Sequence, residues 1–315
     1  MTYTSGGLIQ ASDFNGFSTG VNAVWNTLYG QTAVTTVSTA GTVTATQWAS
    51  LNSTISSEAS HQGTSITSRT NPTAGQVISV LSNVQTDINN CTTNQYNAST
   101  QGSQYTGWTG NSSLTSGKGS GSAAWTATFT DTITFSSGAA ASYFFNAGAT
   151  VKIQFSKTST GTVADTEWNN FVNTVCGTIY LSSTGAAKTI NGVTYTGTTK
   201  IGGTGTPSIL TTGTGFAQLT STPVVIYKQF DSGTAYSSNY VQVTAAFSGS
   251  SLTLVTTWYD NGDTNPGSTA QISGGTATTG ITFGTAGATV VTYFPPETTY
   301  LTNTWGTPSV ASTAA

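Results

Sequence analysis

The chain has 315 residues, of which seven are Lys or Arg, ten are Asp or Glu and one is His, so only 5% carry a formal charge and the net charge is −3. Disorder is excluded, because disordered chains combine low hydrophobicity with high net charge, whereas this one is 36% apolar and carries 7 Trp, 13 Tyr and 13 Phe. Six lysines and one arginine are too few to neutralise a run of phosphates, which excludes nucleic acid as a partner.

In chain order, Met1 to Gly7 lacks the basic and apolar regions of a secretory signal. No apolar run approaches the roughly 18 residues of a membrane helix. The expectation is a chain made in a cytoplasm that stays soluble until it assembles, with no membrane insertion. Its length predicts about two domains.

Residues 1–106 read as a helical module. Phe14, Phe17, Val21, Val24, Trp25 and Leu28 recur at spacings of three and four, the signature of one apolar helical face. Ser12 or Asp13 is the candidate cap and Gly30 the candidate stop. A second helix opens on Thr44 and Gln47, a capping box, with Val43 and Trp48 as its hydrophobic staple. Trp48, Leu51, Ile55 and Ala59 form its apolar face. The two starts are alike enough to suggest a duplicated unit. A third helix follows Asn71-Pro72, where Val77, Leu81, Val84, Ile88 and Cys91 make a two-heptad seam that serves self-association or intramolecular packing. The candidate assembly interface is therefore Phe14, Phe17, Trp25, Trp48, Leu51, Val77, Leu81, Val84 and Ile88. His61, the only histidine, has no catalytic or metal-binding companions at the required spacing and reads as a helix-capping residue.

From Asn94 onward periodicity is lost, and residues 107–122 read as a Gly/Ser-rich linker. Gly117-Lys118 is not a phosphate loop, since Gly119 occupies the position where a Ser or Thr is needed. Residues 123–315 alternate. Trp125, Ala127, Phe129, Asp131, Ile133 and Phe135 step by two, as do Val151, Ile153 and Phe155, then Val241, Val243, Ala245 and Phe247, then Leu252, Leu254, Thr256 and Trp258. Strands with one buried face have this pattern, and so many of them predict an antiparallel β-sandwich. Ser248-Gly249-Ser250 marks a hairpin. One inserted helix is expected from Asp165, Glu167, Trp168, Phe171, Val172 and Val175, ending at Gly177. The predicted fold class is α+β: a helical N-terminal module followed by an antiparallel β-sandwich with one inserted helix.

Little here carries chemistry. Asp165 and Glu167 diverge on a helix, which suits dipole stabilisation rather than a glycosidase pair. Asp260 to Asn265 is an oxygen-rich turn without the twelve-residue spacing of an EF-hand, and reads as an Asx turn or a cation loop. Cys91 and Cys176 lack metal-ligand companions and read as buried free thiols. No cofactor, metal site or catalytic set is expected. Tyr236, Trp258 and Tyr259 are the candidate glycan contacts, since loop aromatics stack on sugars as well as on proteins.

Five stretches resemble a family of virion structural proteins of tailed bacteriophages, especially marine and cyanobacterial phages with contractile tails. They are Ile9-Gln10-Ala11-Ser12-Asp13-Phe14 with Tyr29-Gly30-Gln31; Val43-Thr44-Ala45-Thr46-Gln47-Trp48 with His61-Gln62-Gly63; Tyr143-Phe144-Phe145-Asn146-Ala147-Gly148; Thr166-Glu167-Trp168; and Ser238-Asn239-Tyr240. The chain departs from the family at Ala149, where a second Gly is common, and in the low charge of the strand that follows. The resemblance implies a non-enzymatic virion component of the tail, baseplate or fibre, assembled in the host cytoplasm, that binds itself and other virion proteins. The alternatives are a module binding host surface glycans and a capsid decoration protein.

Overall fold

Helical spacing at the start of the chain and alternation after residue 124 produce the two kinds of element expected of them. The computed structural model describes residues 10–74, 81–105, 124–157, 163–232, 236–262 and 289–315. The proposed linker 107–122, Val77, the side chains of Leu81 and Asp165, and Asp263 to Asn265 lie outside the described residues.

Three helices come first: α1 (Ala11–Val24), α2 (Ala45–Gln62) and α3 (Leu81–Thr93). Then follow β1 (Trp125–Thr134), α4 (Gly138–Asn146), β2 (Thr150–Phe155) and α5 (Val163–Asn170), the last continued by a π-helical turn, Phe171–Val175. The remaining strands are β3 (Thr178–Leu181), β4 (Lys188–Ile190), β5 (Val193–Tyr195), β6 (Thr198–Ile201), β7 (Ile209–Leu210), β8 (Val224–Phe230), β9 (Tyr240–Ser248), β10 (Ser251–Asp260), β11 (Thr289–Phe294) and β12 (Ser309–Ala314).

The capping box closes the start of α2 from both sides: Gln47 N donates to Thr44 Oγ1 at 3.2 Å, and Thr44 N donates to Gln47 Oε1 at 2.9 Å. Gly63, at φ 69, ends the same helix in the left-handed conformation that glycine adopts without penalty. The start of α1 differs from expectation. It begins at Ala11, Gln10 makes no side-chain cap, and Asp13 sits buried in the first turn. The two helix starts are thus built differently despite their similar sequences.

A six-stranded antiparallel sheet runs in the order β12-β1-β10-β9-β8-β7, and a four-stranded one in the order β11-β2-β3-β6. The sheets pack as a sandwich-like body. Phe129, Val243, Leu254 and Trp258 of the larger sheet and Val151, Ile153, Ile179 and Leu181 of the smaller share one core. The outward side of β1 is Thr126, Thr128, Thr130, Thr132 and Thr134, the alternate residues of the same strand. The β9–β10 turn is Gly249-Ser250, with Gly249 at φ 62.

Two helices, not one, interrupt the strands. α5 was expected; α4 is additional, and starts where Ser137 Oγ accepts the Ala140 N–H at 3.0 Å. Its Phe144 and Phe145 meet at 5.3 Å, and Phe145 stacks on Phe216 at 4.3 Å, so the helix fills the sandwich between its sheets.

Gly177 stops the π-turn at φ 73, and a Cβ there would lie 2.5 Å from the Gly202 carbonyl oxygen. Gly192, at φ 76, faces open space. Both alanine variants carry the left-handed cost of about 1–2 kcal/mol; only Gly177→Ala adds a backbone clash. Its urea midpoint should therefore fall clearly further than that of Gly192→Ala.

Candidate functional site

Seven of the eight acidic side chains among the described residues are buried: Asp13, Glu58, Asp87, Asp131, Asp231, Asp260 and Glu297. A buried carboxylate needs hydrogen-bonded partners, and two clusters show what some of these groups hold together; a third is built on a buried lysine.

The first lies between the helices and the sandwich. His61, on the last turn of α2, is fully buried, and its Nδ1 is 2.9 Å from Glu297 Oε1. The other oxygen of Glu297 accepts the Thr299 and Tyr300 N–H groups. His61 therefore bridges 236 residues of sequence instead of capping its own helix. The Tyr29 ring stands edge-on to His61 at 5.1 Å; its hydroxyl donates to the Gln95 carbonyl and accepts from Gln62 Nε2. Gln31 grips the backbone of Thr302 from both sides, donating at 2.9 Å and accepting at 2.8 Å. The distinctive Tyr143-to-Gly148 stretch also lies on this seam: the Tyr143 ring covers Gly30, and Gly148 abuts Ala98.

Glu58 is buried beside this contact, and burial pushes its carboxyl up to about 8, against the opposing pull of a bond from Gln62. For Glu297, burial acts upward, but the His61 bond and the Tyr300 and Thr299 N–H groups outweigh it and hold the carboxyl below its ordinary range. Burial pushes the thiols of Cys91 and Cys176 up to about 12, which leaves both as inert, free thiols. Nearby, Arg69 pairs with Asp87 of α3, and Asp87 also accepts the Thr67 N–H.

The second cluster closes one end of the sandwich. Asp260 Oδ2 accepts from Trp168 Nε1 at 2.9 Å and from Asn239 Nδ2 at 3.1 Å, while Oδ1 accepts the Gly262 N–H at 2.7 Å. The last of these is an Asx-type bond. Asp260 thus turns inward and orients Trp168, which stacks on Trp258 at 5.6 Å and 7°.

The third cluster was missed by sequence reasoning. Lys188, buried in β4, donates to Ser182 Oγ at 3.1 Å and to the Thr184 carbonyl, while Ser182 donates to the Thr196 carbonyl. Burial pulls the amine down to about 8. A serine–lysine pair can act as nucleophile and base, but here the serine proton points to a carbonyl and both side chains are buried, so the lysine serves as a hydrogen-bonding post. The available signal was Asn191-Gly192, whose left-handed residues at φ 49 and φ 76 make the β4–β5 hairpin turn that places Lys188.

The candidate interface and glycan residues need correction. Phe14, Phe17, Trp48, Leu51, Val84 and Ile88 form one closed helical core, with half-buried Trp25 packed against it, so these apolar faces are consumed within the chain. Short heptad seams find partners in neighbouring helices of the same chain as readily as in another. Trp258 and Tyr236 are buried in the body and cannot meet a sugar. Tyr259 is half-buried and stacks on Tyr240 at 4.9 Å, and Lys228 lies 3.7 Å over the Tyr240 ring, so these aromatics pack on one another. Among the described residues, no three His, Cys, Asp or Glu side chains gather to hold a metal ion. No helix among them is long and apolar enough to cross a membrane. No protein-family model, curated protein or solved structure matches this chain.

Two predictions follow from these clusters. Glu58 binds its proton more tightly folded than unfolded, so its stabilising contribution is complete below about pH 4.5 and is lost as pH rises towards 8. Glu297 acts in the opposite sense, losing its contribution as pH falls below the ordinary carboxylate range. Urea unfolding between pH 5 and pH 8 should show stability declining, and Glu58→Gln should flatten that slope and gain at least about 1 kcal/mol at pH 8. Asp260→Ala should cost about 3 kcal/mol, since it strands buried donors of Trp168 and Asn239, with a matching loss of near-ultraviolet tryptophan circular dichroism.

Proposed function

We propose that this chain is a non-enzymatic structural component of a tailed-bacteriophage particle, belonging to the tail, baseplate or fibre, which works by fitting against copies of itself and neighbouring virion proteins. The observation that carries this reading is the inversion of charge: most of the described carboxylates are buried in internal contacts, while the outward faces of β1 and β10 present Thr, Ser and Val without a charge. Catalysis and electrostatic steering both need charges aimed at a ligand. Contact by shape does not.

Because the described apolar faces of the helices are packed within the chain, the contact surface in this reading is the sandwich. Outward Thr126 to Thr134 of β1 lie beside outward Ser251, Thr253, Val255 and Thr257 of β10, a neutral carpet of hydroxyl and methyl groups. Such a surface attracts neighbours without long-range charge, so association should be insensitive to salt. Light scattering of the purified chain at low and high ionic strength should give the same oligomer. Mass spectrometry of separated heads and tails should find the chain with the tails. A monomer at high concentration, together with absence from purified particles, would overturn the proposal.

A further inference from the structure

Three Asn-Gly pairs occur in the chain, Asn15-Gly16, Asn191-Gly192 and Asn261-Gly262, and the fold treats one of them differently. An Asn followed by Gly carries both partners of a reaction. The glycine nitrogen has no side chain beside it to block its approach to the carboxamide carbon of the preceding residue. What decides the outcome is whether the surrounding structure holds the two groups still.

Two of the pairs are held. Asn15 and Gly16 lie within α1, and Val37 fixes the Asn15 carboxamide from both sides: the amide donates to the Val37 carbonyl at 2.8 Å and accepts the Val37 N–H at 2.7 Å. In the second pair, the Gly262 N–H donates to Asp260 Oδ1 at 2.7 Å, and the Asn261 carboxamide oxygen accepts the Tyr259 hydroxyl at 3.2 Å. The Asn261 N–H is also taken, by Asn239 Oδ1 at 2.9 Å.

Asn191-Gly192 is tied at one point. The pair forms the two-residue turn between β4 and β5, where both residues have positive φ and both are exposed. The Asn191 N–H donates to the Ala98 carbonyl at 2.8 Å, but neither the Asn191 carboxamide nor the Gly192 N–H has a hydrogen-bond partner among the described residues. The space beside the Gly192 α-carbon is open, with no heavy atom within 4 Å of where a Cβ would stand. The flanking strands are three residues each, and the end of so short a ladder opens readily.

We propose that Asn191 is a self-modification site, at which the Gly192 nitrogen attacks the Asn191 carboxamide and leaves a carboxylate in the β4–β5 turn. The nitrogen bonds to Cγ and gives its proton to water, and the side-chain nitrogen departs as ammonia, closing a five-membered succinimide. Water then opens the ring at either carbonyl. One opening restores the original backbone with an aspartate side chain; the other routes the backbone through the former side chain as isoaspartate. In sum, an amide and a water become an acid and ammonia. The product adds a negative charge to the −3 of the unmodified chain, at an exposed turn. The isoaspartate form also lengthens, by a methylene, the turn of a hairpin that packs Ile190 against Ala98 and bonds Lys188 to Ser182 and Thr184.

The test keeps the full chain and uses the two tied pairs as internal controls. The protein is incubated folded and in concentrated urea at the same mildly alkaline pH. Peptide mapping by mass spectrometry follows the amide-to-acid mass gain at Asn15, Asn191 and Asn261, with fragmentation that separates aspartate from isoaspartate. In urea the three should convert at comparable rates, which shows that the fold sets any difference between them. Folded, Asn191 should convert at least about tenfold faster than either of the others, a barrier difference of about 1.4 kcal/mol, and isoaspartate should be among its products. Folded Asn191 converting as slowly as Asn15 and Asn261 overturns the proposal, and conversion to aspartate alone overturns attack by the Gly192 nitrogen.

Discussion

The contact between His61 and Glu297 is the constraint on which the rest of the arrangement depends. It joins the last turn of α2 to the segment after β11, in a place from which water is excluded. A paired group left buried without its partner costs several kcal/mol, so helices and sheets cannot separate here without exposing both. The surrounding bonds have the same logic. Tyr29, Gln31 and Ser99 each satisfy backbone or side-chain groups across the seam, and Val24 and Tyr29 are part of the sandwich core itself. The helical part is therefore packed as a continuation of the body.

A chain with so few ions has placed most of them where they are hardest to hold. Asp260 orients a tryptophan, Lys188 braces a hairpin base, and Asp87 ties a loop to α3. Each is a directional contact inside otherwise non-directional packing. Buried polar groups that are fully bonded specify one arrangement over others. The outward faces of β1 and β10, freed of that duty, carry no charge.

Much of the fold was legible. Alternation in β1, β2, β9 and β10 placed Phe129, Ile153, Val243 and Leu254 on the inward side, and the Thr44–Gln47 box marked the start of α2. What escaped was non-local. Nothing near His61 indicates a partner 236 residues away, and nothing in the heptad seam distinguishes a partner helix in the same chain from one in another. The β4–β5 strands are three residues each, too short for alternation to register, although Asn191-Gly192 announces their turn. For Trp258 the sequence offers two readings, an inward place in the alternation of Leu252, Leu254 and Thr256 and a sugar-stacking aromatic, and polarity near a turn says little about which way a ring such as Trp258 or Tyr236 faces. Trp258 lies on the inward side of β10, the same parity that correctly assigned Leu252 and Leu254.

The two thiols carry an independent consequence. Cys91 sits on α3 near Glu58 and Arg69, whereas Cys176 lies at the floor of the sandwich, where Tyr227 donates to its carbonyl. Each is silent to alkylation while its surroundings are closed, and there is one on each side of the seam. The molecule thus contains a pair of built-in clocks: the relative rates at which the two sulfurs become modifiable report whether helices and sheets open together or one before the other.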